Sequence, residues 1–228
     1  MHCFVLFALI VLYYNVSNFI AIPKSMRILF ALLYLLSFPA LAEITIVTSI
    51  KPLQQLTSAI MQGAGEPQLL IKHQISAHHF AFKPSHFSLI NQADLIIWIS
   101  RDFESGFHRL PEIMSKKTTS LELLKALDLA HEDGHIWYSP VLLPRIANQI
   151  LRALNDIDPA NAAIYQRNTD RLIQSINLWA ATTRADIAKV KPRYMLDHNF
   201  LSHFEHDFGI EAIAVLHDSH DQHGGIQQ

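Results

Sequence analysis

Cysteine is almost absent. The only one in the 228 residues is Cys3, inside the apolar start of the chain. Beyond that start there is no thiol to form a disulfide or to hold a soft metal. Neither sign of charge is in excess: 18 Lys and Arg stand against 20 Asp and Glu, a formal net charge of −2. Such a chain lacks the basic field that a nucleic acid backbone requires, so nucleic acid is not an implied partner. There are no internal repeats and no His-Glu-x-x-His helix of the metallohydrolase kind. What is abundant is histidine, with 14 residues, all but His2 lying beyond the leader. Imidazole is the commonest nitrogen ligand for zinc, and it is neutral and available near pH 7.

Two apolar runs open the chain. Phe4 to Ile22 is nearly uncharged and long enough to span a bilayer. After it come Lys24 and Arg27, the apolar run Ile28 to Phe38, and then Pro39-Ala40-Leu41-Ala42 before Glu43. A basic start, an apolar core and small residues before a cut are the three parts of a secretory signal. On this reading Met26 is the true start, Ala42 is the last residue removed, and residues 1–25 extend the reading frame upstream. The alternative is a membrane anchor at Phe4 to Ile22. In both cases the working part begins near Glu43 and lies outside the cytoplasm, in the periplasm. Residues 43–228 suffice for one good core or two small lobes.

Strand and helix patterns alternate through that part. Ile44 to Thr48 is a β-branched strand, and Leu53 to Met61 is a helix stopped by Gly63 and Gly65. Gln68 to Ile71 is a strand, Pro84 to Gln92 a helix, and Asp94 to Ile99 a continuously apolar strand of the kind covered on both faces. Thr118 to Leu121 is a weaker fourth strand. This alternation predicts a parallel sheet in an α/β lobe. Ser139-Pro140 opens a helix to Leu154, with serine as cap and proline in the first turn. From Pro159 to Val190 the apolar residues keep a helical period with no glycine or proline until Pro192. That is about 45 Å of helix, long enough to bridge two lobes. A second, smaller α/β unit follows, with strands at Tyr194 to Leu196 and Glu211 to Leu216 and a helix from Phe200 to Phe208. The domain boundaries are therefore 1–42 for the leader, 43–157 for the first lobe, 158–191 for the linking helix and 192–228 for a partial second lobe.

Three histidines occupy loops just beyond strands, where α/β sheets place ligands. His78 follows the second strand, His135 precedes a capped helix, and His198 ends the first strand of the second unit. Three imidazoles from separated segments can meet on one ion and leave a fourth position for a carboxylate or water. Each alone is ordinarily a structural or incidental surface residue.

The surrounding residues carry a resemblance. Ala77 to Ser85, with a histidine a few residues before Pro84-Ser85, leads into Ala93-Asp94-Leu95, where Gln92 replaces the family's asparagine. His135-Ile136-Trp137-Tyr138-Ser139-Pro140 follows an H-x-W-x-[SD]-P pattern, and His198 precedes a helix ending at Phe208-Gly209. Together these resemble the zinc and manganese solute-binding proteins of ABC transporters, from about Ile44 to Leu216. The resemblance implies two parallel-sheet α/β lobes joined by a long rigid helix, with metal in the cleft between them. It also implies the ligand set His78, His135 and His198, an ABC permease as partner, and a monomer that is not an enzyme. Three imidazoles favour zinc over manganese, which prefers more carboxylate oxygen. The family also has a further stretch after the point where this chain ends, so the second lobe is expected to be incomplete and marginal.

Other histidines have plainer readings. His79 reads as a surface neighbour of His78, or else a fourth ligand. His131, Glu132 and Asp133 read as a solvated loop. The run His217, His220 and His223 reads as a tail with weak metal affinity at most. Asp102 and Glu104 read as acids at a helix start, and Phe80, Phe82 and Trp137 as core or cleft lining. Two rivals to metal capture remain: a remnant of the family that no longer binds tightly, and an exported zinc hydrolase. The hydrolase needs a general base, and no ligand has a glutamate beside it.

Overall fold

The structure is a computed structural model and describes residues 44–72, 80–130 and 132–217. The leader readings on residues 1–42 therefore lie outside the described residues, as do His78, His79, His131, His220 and His223. By its internal contacts the chain divides after Ala42, and Glu43–Gln228 forms one compact unit. Among the described residues, no helix is long and apolar enough to cross a membrane.

The first sheet has four strands, β1 (Ile46–Thr48), β2 (Gln68–Leu69), β3 (Leu95–Trp98) and β4 (Thr119–Glu122), in the order β2-β1-β3-β4. All three pairings are parallel. β1 and β3 are central and buried along their whole length, as their unbroken apolar sequences require. Helix α1 (Lys51–Met61) packs over β1, and α2 (Pro84–Gln92) leads into β3. Gly63 takes a positive φ of 86° just beyond α1, in agreement with its reading as a stop.

Two four-residue helices, α3 (Leu110–Ile113) and α4 (Leu123–Ala126), were not expected from the sequence. One turn is too short to give a period. The helix expected from Pro140 starts later, as α5 (Leu142–Ile157), with Val141 at its cap position. Ser139 nevertheless caps it from two residues upstream, its Oγ accepting from the Leu142 amide at 2.9 Å. The inward stripe of α5 is Leu142, Ile146, Ala147, Ile150, Leu151 and Leu154, a helical period against β3.

The long helix is α6 (Ala162–Val190), 29 residues, preceded by a 3-10 turn at Pro159–Asn161. It packs along α1 and α5. Only Tyr165, Thr169 and Ile176 are fully buried along it, so most of its surface faces solvent. Asn168 anchors it by donating to the Ile60 and Gln62 carbonyls, both at 2.9 Å, at the end of α1. After α6 come β5 (Met195–His198), α7 (Ser202–Phe208) and β6 (Ala214–His217). β5 and β6 pair in parallel as a separate two-stranded sheet. Gly209 ends α7 with φ 66°, in the left-handed conformation glycine tolerates. The chain is thus α/β, with a four-stranded and a two-stranded parallel sheet joined through one long helix.

Candidate metal centre

His135 sits in the loop between α4 and α5, immediately before a 3-10 turn at Ile136–Tyr138. It is 9% exposed. Its Nδ1 lies 2.7 Å from Asp133 Oδ1, and the same oxygen accepts the His135 backbone amide at 3.1 Å. This is a turn closed by the aspartate side chain onto the amide two residues on. Burial alone would push the Asp133 carboxyl up, but hydrogen bonds from His135 and Ser202 outweigh it and hold the group at about 2. An ionised carboxylate only accepts, so Nδ1 carries a hydrogen, and in the neutral ring the lone pair is then on Nε2. A metal-binding histidine is ordinarily prepared in this way.

His198 is the last residue of β5 and its side chain is 46% exposed, with Nδ1 3.7 Å from Asp197 Oδ2. Its ring centroid lies 6.0 Å from that of His135, with the planes at 51°. With zinc–nitrogen bonds of about 2 Å, two rings on one tetrahedral ion have centres about 5 Å apart, so these rings stand slightly wider than that. The loop before α5 and the end of β5 thus bring two imidazoles side by side. Aromatic rings surround the pair. Phe103 and Trp137 meet His135 edge-on at 4.9 and 5.2 Å, and Phe200 lies 5.1 Å from His198.

Of the three histidines expected as ligands, the structure brings His135 and His198 together, while His78 lies outside the described residues. Among the described residues alone, no group of three or more His, Cys, Asp or Glu side chains could hold a metal ion. Two acids take other roles than the sequence suggested. Asp133 is not a plain loop acid but the partner of His135, and the Asp-x-His spacing was the available clue. Glu104 does not start its helix with a cap. It turns back, fully buried, so that Oε2 accepts from the Ile99 and Ser100 amides at 2.7 and 3.3 Å, at the end of β3. Burial pushes its carboxyl up to about 7, against the pull of the Ser49 hydroxyl and those two amides. Ser49 Oγ and Glu104 Oε1 nevertheless fall short of hydrogen-bond geometry, and both are among the buried oxygens with no partner among the described residues.

Two α/β units around a long helix are an architecture shared with solved metal-binding proteins. The Zn(II)-bound AdcA of Streptococcus pneumoniae shares the fold with a TM-score of 0.67 at 18% identity, over 76% of this chain and 39% of that one. The Mn-bound periplasmic metal binding protein of Candidatus Liberibacter asiaticus also has a TM-score of 0.67, at 19% identity over 75% and 68% of the two chains. The family model for the zinc-uptake complex component A, periplasmic (ZnuA), matches residues 46–228, and the chain belongs to that family. Among its relatives is the high-affinity zinc uptake system protein ZnuA of Brucella abortus (strain 2308), 23% identical over 75% of this chain. The chain spans 66% of the length of that relative.

Proposed function

We propose that this chain captures zinc outside the cytoplasm, as a monomer, and presents it to an ABC-type permease rather than acting as an enzyme. His135, held by Asp133 through Nδ1 and with the His198 ring 6.0 Å away, carries this reading. His78, which follows β2 in the sequence, is the third ligand in this proposal. The lobes run over 43–157 and 192–228, with 158–191 as the rigid link between them. A nitrogen donor set favours zinc over manganese. Membership of the zinc-uptake family and the zinc-uptake relative support the same ion, while the manganese-bound neighbour keeps manganese as the second candidate.

The test is a calorimetric zinc titration of residues 43–228, beside the triple variant His78→Ala, His135→Ala, His198→Ala. One tight equivalent that disappears in the triple variant is the expected result. Weak binding that persists in the variant would move the metal to the tail histidines and sink the three-histidine site. A parallel manganese titration discriminates the ions.

A further inference from the structure

We infer that Asp133 is the positioning residue of the metal site, setting the tautomer of His135 and fastening the His135 loop to helix α7 through the same carboxylate. The inference rests on the reading that His135 is a ligand. It goes further in assigning the two sheets a common fastening point beside the metal.

The two oxygens of Asp133 are divided between the two sides of the molecule. Oδ1 accepts from Nδ1 and from the amide of His135. Oδ2 accepts the hydroxyl of Ser202, the first residue of α7. The Asp133 carbonyl accepts from His203 Nε2 at 2.7 Å, one residue further along the same helix. At the other end of the loop, Ser139 Oγ donates to Asp207, which also accepts the Val141 amide at 3.3 Å. The segment from Asp133 to Val141 is therefore fastened to both ends of α7.

The chain reaches α7 directly from His198, and the Phe200 amide donates to the His198 carbonyl at 2.9 Å between them. Asp133 thus connects one proposed ligand to the helix whose entry carries another. Losing the carboxylate removes two things together: the acceptor that keeps the hydrogen on His135 Nδ1, and one of the links that hold α7 against the loop, that to Ser202. Losing Ser202 removes only the second.

The test uses the metal-free protein with ¹⁵N-labelled histidine, alongside calorimetry with zinc. In the parent, the ring nitrogen shifts of His135 should report hydrogen on Nδ1. In Asp133→Ala they should move toward the Nε2–H form, with zinc binding weakened about 10- to 100-fold, as for other partners behind metal ligands. Asp133→Asn, whose amide oxygen still accepts, should restore the Nδ1–H form. Ser202→Ala should leave the tautomer unchanged while amide exchange across α7 speeds up severalfold. An unchanged His135 tautomer in Asp133→Ala overturns the positioning role, and unchanged α7 exchange in Ser202→Ala overturns the fastening. If Asp133→Ala does not fold, Ser202→Ala and Asp133→Asn still decide the two halves. If the parent takes up no zinc, the proposed function falls while the tautomer and exchange readouts still judge Asp133.

Discussion

Phe103 stands edge-on to the His135 ring, centroids 4.9 Å apart and planes at 89°, and the backbone of Gly134 runs against the same phenyl ring. A Cβ added at Gly134 would overlap Cγ and Cδ2 of Phe103. Glycine is needed here for space, since its φ lies outside the left-handed region. Gly134→Ala should therefore cost about 1–3 kcal/mol, the usual penalty of overpacking a buried site. It should also weaken zinc binding, because Phe103 cannot retreat without disturbing His135. Urea denaturation and a zinc titration check the two effects. A variant with parental stability and affinity would mean that the loop shifts freely, which its fastening to α7 argues against.

Glu104 gives the protein a pH dependence of definite sign. Its carboxyl titrates near 4.5 when unfolded and about 7 when folded, so between these values the native state binds more protons. Stability is then greatest below the lower value and falls as pH rises through about 7, by about 3 kcal/mol in all. Glu104→Gln keeps an acceptor for the Ile99 and Ser100 amides and offers an N–H toward Ser49 Oγ. The variant should flatten the stability profile between pH 5 and pH 8, on the order of 1 kcal/mol per unit in the parent. Denaturation midpoints at several pH values decide it. An equally steep profile in the variant would assign the slope to another group.

The elements that sequence periodicity found share a physical trait: each buries one continuous surface. β1, β3, α1 and α5 fall within a few residues of expectation because their apolar positions run unbroken or repeat along a face. α3 and α4 had no such signature, since four residues make only one turn. The nearness of His135 and His198 was legible from the motifs around them. Asp133 and Glu104 were not, because a carboxylate's role depends on which amides and hydroxyls the fold brings to it. Glu104 is adjacent to an exposed-looking run in sequence, yet it is fully buried against the end of β3.

Asn168 offers a test of the long helix that is separate from the metal. Its amide nitrogen donates to the Ile60 and Gln62 carbonyls, both at 2.9 Å, so one side chain satisfies two carbonyls at the end of α1. Asn168→Ala should lower stability by about 1–2 kcal/mol through those lost bonds. Zinc affinity should stay at the parental value, because neither α1 nor this part of α6 carries a ligand. Thermal unfolding with and without zinc reads both quantities, and a changed affinity would mean that helix docking reaches the site.

The two-stranded sheet is the place where association between copies should begin at high protein concentration. Val215 and Leu216 are successive residues of β6 and so point to opposite faces, yet they are 40% and 61% exposed. Met195 on β5 and Ile213 just before β6 are also open to solvent. Among the described residues this sheet has two strands with apolar side chains on both faces, a marginal unit whose edges can accept a further strand. Dilute protein should be monomeric, with association growing as concentration rises. The double variant Val215→Thr, Leu216→Thr keeps β-branched or strand-compatible side chains while removing apolar surface, and should suppress that growth. Sedimentation velocity over a concentration series makes the comparison. Equal association by parent and variant would place the contact elsewhere, with the exposed Leu178, Trp179 and Val190 of α6 as the next surface to change.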